Sequence, residues 1–210
     1  MGQYYNIVFG SKSGKKINVF NRRVNGEYTM AKLMEHSWWL NDCMSCASEY
    51  LLLNGPLRVA WVGDYAEQDD FEDDFKSKRK IADNVAVPDI EKIWGENAKE
   101  EEFTHEYKME DGEKVLVNPV LLDEYYLINH DQKLYLDCEE FHKKASELAS
   151  WIIHPLSILT AVGNGRGGGD YYPNDEKEEA LVGSWAWNLL SLEGEIPKGY
   201  KKADIMFYEK

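Results

Sequence analysis

The sequence predicts an α+β fold: a mainly antiparallel sheet with short helices packed on it. Three observations carry this. β-prone runs come in pairs around turn residues, as in Tyr125–Ile128 and Leu134–Leu136 on either side of Asn129-His130-Asp131-Gln132, which is the signature of a hairpin. Helical periodicity is confined to short segments that do not alternate regularly with strands, which argues against a doubly wound parallel sheet. The 210 residues are 43% apolar and 13% aromatic, enough to build a packed core. No fixed-length repeat or long linker divides them, so residues 1–210 are expected to form one globular domain, with an acidic, exposed segment at 67–102.

In chain order, Gln3–Phe9 and Lys16–Arg22 flank the turn-rich Gly10–Gly14 and predict a first hairpin. Val24–Glu27 turns the chain. Thr29 is the expected N-cap of a helix that places Met30, Leu33, Met34 and Ser37 on one face. Asn41 or Asp42 caps a second helix through Leu51, stopped by Asn54-Gly55-Pro56. Leu57–Val62 is a short apolar strand, and Ile90–Trp94 one or two turns of helix. Lys108–Val117 contains a hairpin-like Glu110-Asp111-Gly112, and Glu139–Ala149 is an exposed helix. Leu156–Val162 is an apolar strand feeding a glycine-rich loop, Asn174–Ala180 is polar, and Ser184–Leu192 and Ala203–Tyr208 read as the last strands. In Trp185-Ala-Trp187 the strand period sets both rings on one face.

The formal charge of −14 excludes direct binding to a phosphate backbone, because each such contact needs a lysine or arginine. It is compatible with a small ligand or with a basic protein partner. Residues 67–102 hold thirteen Asp and Glu against six Lys and Arg, half of the net charge. No apolar run reaches the ~20 residues of a membrane helix, and the start lacks a signal-peptide pattern, so the chain is expected in the cytoplasm. Three cysteines, Cys43, Cys46 and Cys138, are an odd number and disfavour a disulfide framework. Cys43 and Cys46 read as small buried residues of a helix, since no second CxxC completes a zinc set.

The densest signal lies at Ile158–Tyr172, where Gly163, Gly165, Gly167, Gly168 and Gly169 occupy five of seven positions around Arg166. Gly163-x-Gly165-x-x-Gly168 matches the dinucleotide fingerprint in letters only. Asp170-Tyr-Tyr-Pro173 follows where a helix would have to open. No lysine follows the glycines, so a phosphate-binding P-loop is absent too. Successive glycine N–H groups can still form an anion-holding nest, with Arg166 adding a charge-assisted bond.

Gly-Asp-Tyr occurs twice, at Gly63-Asp64-Tyr65 and Gly169-Asp170-Tyr171, each time after an apolar run. Asp as a turn residue is the plain reading of each. Two carboxylates brought together would instead bind Mg²⁺ or act as acid and base. His36, His130 and His154 are candidate bases, and a structural role is the commoner one for each; no HxH, HExxH or HxxxD spacing supports a metal site.

Met1–Tyr5, Tyr28–Trp39, Trp61–Ala66, Leu127–His130, Ile153–Tyr171 and Val182–Trp187 together resemble a family of hypothetical proteins from Gram-positive bacteria, their phages and mobile elements. The resemblance implies a stand-alone domain of about this length and brings no activity with it.

Two functions are therefore expected. In the first, a small anionic, nucleotide-like ligand sits at the glycine loop. Gly165, Arg166, Gly167, Gly168, Gly169, Tyr171, Tyr65 and His154 line its site, and Asp64 and Asp170 support metal-assisted phosphodiester hydrolysis with Mg²⁺. In the second, suggested by the acidic block together with the phage-associated resemblance, the 67–102 segment mimics nucleic acid and inhibits a host defence enzyme by covering its basic groove.

Overall fold

A computed structural model describes residues 2–14, 17–20, 22–24, 27–29, 31–37, 43–66, 105–108, 114–117, 121–149 and 152–208. The expected acidic segment 67–102, with its Ile90–Trp94 helix, lies outside them, as do the turn at Glu110–Gly112 and the caps Asn41 and Asp42. Cys43 and Cys46 are described only in their backbone.

Eight strands form one sheet: β1 (Tyr5–Gly10), β2 (Ile17–Phe20), β5 (Leu57–Gly63), β8 (Tyr126–Asn129), β9 (Leu134–Asp137), β10 (Ala161–Val162), β11 (Leu189–Glu193) and β12 (Lys201–Lys202). Its order is β12-β9-β8-β11-β5-β1-β2, with β10 added on β5. Every pairing is antiparallel except β10 with β5 and β12 with β9. The expected α+β class is the observed one. Two further hairpins, β3 (Arg22–Val24) with β4 (Glu27–Thr29) and β6 (His105–Lys108) with β7 (Lys114–Val117), stand apart from this sheet.

Strand alternation sorts the side chains. On one face Ile7, Phe9, Val59, Trp61, Leu190 and Leu192 enter the main core. There they meet α1 (Leu33–His36), α2 (Cys43–Leu53), α3 (Cys138–Leu148) and α4 (Pro155–Leu159) through Leu33, Leu52, Phe141 and Leu156. Each such side chain, fully buried, contributes roughly 1.5–3 kcal/mol. On the other face Val8, Ala60, Val62 and Val162 form a smaller cluster with Ala66, Ala186 and Trp187. Among the described residues no helix is long and apolar enough to cross a membrane.

Four elements depart from expectation. The first helix is one turn only. Thr29 belongs to β4, and Lys32 begins the helix, its backbone N–H donating to the Glu35 carboxylate at 2.8 Å. Leu156–Val162 is mostly α4, because Pro155 stands at its first turn, His154 caps it and the Thr160 hydroxyl bonds back to Leu156 O at 2.7 Å; β10 is only two residues long. Trp185 and Trp187 precede β11, Trp187 with φ +58°, so they do not share a strand face. The last strand is Lys201–Lys202, and 203–208 are irregular.

Candidate functional site

β5 and β10 run side by side in the same direction, with Ala161 opposite Trp61 and Val162 opposite Val62. β5 ends at Gly63 and β10 runs into Gly163, so the first Gly-Asp-Tyr turn and the loop that carries the second leave the same end of the sheet. β1 begins there, with Tyr5 opposite Gly63. Carboxyl ends of adjacent parallel strands are where open sheets commonly hold ligands.

The residue that joins the two turns is Gln3, which is fully buried. Its Nε2 donates to the Tyr5 hydroxyl at 2.8 Å, to Gly163 O at 2.7 Å and to Asp170 Oδ2 at 2.9 Å, two hydrogens shared over three acceptors. Its Oε1 accepts from Tyr65 N at 3.2 Å. This close fit explains two glycines. A Cβ on Gly63 would stand 2.2 Å from Gln3 Oε1, and one on Gly167 would stand 2.5 Å from the Gln3 backbone nitrogen. Gly168 bridges to Gly2, and Gly169 O accepts from Met34 N at 3.0 Å, tying α1 to the loop.

Asp170 is 1% exposed. Its Oδ2 accepts from Arg166 N at 2.9 Å, Gly167 N at 3.0 Å and Gln3, while its Oδ1 accepts from the Tyr5 hydroxyl at 3.2 Å. The nest formed by these loop amides therefore holds a carboxylate of the same chain. Burial, reinforced by Asp170, pushes the Tyr5 hydroxyl far above the ordinary phenol range, so it remains a proton donor. Asp64 is exposed, and its Oδ1 accepts from Tyr4 N at 3.0 Å. The two aspartates grip successive residues of the N-terminal segment, and no direct hydrogen bond joins them. Among the described residues no group of three or more His, Cys, Asp or Glu side chains is placed to hold a metal ion.

The outer half of the loop opens onto a cleft of about 530 Å³. Ala161, Val162, Val182 and Ala186 give it a floor of small apolar side chains, and Arg166, Tyr172 and Glu179 its exposed side-chain chemistry. Gly165, with nothing near its Cα side, and the buried Tyr171 also line it. The Asn164 side chain is engaged with the Tyr171 backbone, Nδ2 donating to O and Oδ1 accepting from N, both at 2.9 Å.

Of the residues expected at the site, Gly165, Arg166 and Tyr171 thus meet on the cleft. Gly167 and Gly168 lie along the N-terminal segment, Gly169 lies against α1, Asp170 turns inward, and Asp64 and Tyr65 form the neighbouring turn. His154 is elsewhere, in the interior. Its Nδ1 accepts from Leu156 N at 3.3 Å, which leaves Nε2–H to donate to Glu49 at 2.6 Å, both side chains fully buried. His36 is buried against Trp61, edge to face at 6.3 Å. His130 lies at the β8–β9 turn, its Nδ1 3.1 Å from the Tyr200 hydroxyl and its Nε2 2.8 Å from the Ser191 hydroxyl. Ser191 itself is fully buried and donates to Glu193.

Gln3 and Glu179 were not singled out from sequence. Gln3 carries no motif chemistry, and its role exists only once the two turns surround it. Glu179 sits in an evenly polar stretch, and only the Asp175 cap of α5 (Glu176–Leu181), which accepts from Glu178 N at 2.8 Å, could have marked a helix there. Comparison of the chain with protein-family models, curated proteins and solved structures gives no match.

Proposed function

We propose that the protein binds a small phosphorylated, nucleotide-like molecule in the cleft beside the glycine loop. The observation that carries this reading is the cleft itself. It measures about 530 Å³ at the carboxyl ends of β5 and β10, with a guanidinium and an exposed aromatic ring on its rim. That volume lies within the roughly 300–1,000 Å³ of small-molecule sites. Arg166 supplies a charge-assisted bond to phosphate, and Tyr172, 72% exposed, supplies a face on which a base stacks. The reading is of binding without hydrolysis, because Asp170 is engaged by four donors and Asp64 by the Tyr4 amide. The rival reading, an acidic mimic that covers a basic host protein, rests on residues 67–102, outside those described.

Thermal unfolding with AMP, GMP, ADP and GDP tests the proposal. A nucleotide at about 100 times its Kd stabilises by about 2.7 kcal/mol, a Tm rise of roughly 5–11 °C for a chain of this size. Arg166→Ala is expected to need at least about tenfold more nucleotide for the same rise. Unchanged melting with all four nucleotides overturns the reading.

A further inference from the structure

The inference deepens, and rests on, the nucleotide reading above: it concerns which base the cleft takes. Two of the polar side chains along the cleft are already engaged inside the protein. Asn164 is paired with the Tyr171 backbone, and the Tyr171 hydroxyl is turned toward Tyr208 O at 3.4 Å. Arg166, Tyr172 and Glu179 are the exposed side chains among those that line it, and of these Arg166 also has a partner within the chain. The two adjacent glutamates of α5 differ in role. Glu178 is 5% exposed, and its Oε2 accepts from the Asn174 side chain at 2.9 Å. Glu179 is exposed on the cleft, and its carboxylate makes no hydrogen bond or ion pair to a described residue.

An ionised carboxylate only accepts hydrogen bonds. A phosphate beside it is repelled, so the anionic end of the ligand goes to Arg166 and a donor-bearing end to Glu179, with the planar part against Tyr172. Of the common bases, guanine alone offers two adjacent donors, N1–H and the 2-amino group, to the two oxygens of one carboxylate. Adenine and cytosine set a ring lone pair beside their amino group, and uracil flanks its single N–H with two carbonyls. We propose that Glu179 reads the Watson–Crick edge of guanine and that the ligand is a guanine nucleotide.

Calorimetric titration with GMP, IMP and AMP tests this, on the full chain and on Glu179→Gln. A bidentate base contact is worth a discrimination of about 10-fold or more. GMP is expected to bind tightest, IMP, which lacks the 2-amino group, more weakly, and AMP most weakly. Glu179→Gln brings GMP and AMP to within about threefold of each other, and because Glu179 is exposed its melting temperature should be unchanged. Arg166→Ala weakens all three ligands by a similar factor. Equal affinities in the unaltered protein, or a GMP preference that survives Glu179→Gln, overturns the base assignment and leaves the nucleotide site standing. If no nucleotide binds, both fall.

Discussion

The two ends of the sheet are closed in different ways. Where β5 begins, side chains do the closing. Arg58 Nη1 donates to Asp131 Oδ2 and to Trp187 O, both at 2.9 Å, Asp131 also accepts from Leu189 N, and His130 joins Tyr200 to Ser191. Where β5 and β10 finish, glycine backbone closes it around two buried side chains, Gln3 and Asp170. Gly63 and Gly167 let the Gln3 segment lie against the loop, and one buried carboxylate satisfies the loop amides. Side chains fill the first end. The second keeps a hydrogen-bonded backbone with open space beside it, and a site needs backbone held in place around the ligand.

The largest effect that would break this contrast belongs to Asp170. Asp170→Ala strands two loop N–H groups and the buried Tyr5 hydroxyl, and should cost about 3 kcal/mol in urea unfolding. A loss under 1 kcal/mol would mean that the carboxylate does not hold the loop. The next largest separates the loop's two halves. Gly167→Ala drives a methyl into the Gln3 backbone and should cost about 2 kcal/mol. Gly165→Ala meets no atom within 4 Å, and only its φ of +85° is strained, so about 1 kcal/mol is expected. Equal losses would erase the distinction between a packed inner half and an open outer half.

Much of the fold was legible in the sequence for a physical reason: local signals decided it. Turn residues between β-prone runs placed β1 with β2 and β8 with β9, and flanking breakers placed α2. The apolar run at 156–162 was not legible, because a buried helix and a buried strand look alike in a short apolar window; the Pro155 and Thr160 contacts decided for helix. At the site, the glycine loop and the repeated Gly-Asp-Tyr stood out, and the chain does bring both turns to one end. That Asp170 is the anion for its own loop could not be read from composition. A glycine-rich stretch that receives an outside anion and one that receives an inside anion have the same letters, and only the position of Gln3 separates them.

Smaller effects are expected at the end where β5 begins. Asp131→Ala removes a partly exposed ion pair with Arg58 and should cost under about 1 kcal/mol. His130 supplies the pH dependence there. Burial lowers its pKa, with Glu193 and Asp131 opposing and Lys12 adding to the shift. The folded state therefore keeps it neutral while the unfolded chain takes up a proton. Stability from this group is present above the unfolded value of about 6.5 and is lost as pH falls from there toward the lower folded pKa. Unfolding midpoints measured from pH 8 to pH 5 should fall less in His130→Gln than in the unaltered protein, and parallel curves would exclude His130 as the source.

The most direct test is a two-dimensional ¹H–¹⁵N NMR titration of the full chain with GMP. The amides of Gly165, Arg166, Glu179 and Gly183 should shift in a saturable way while those of His130–Lys133 stay in place. No shifts at millimolar GMP, or shifts confined to the His130 end, would contradict a ligand site at the carboxyl ends of β5 and β10.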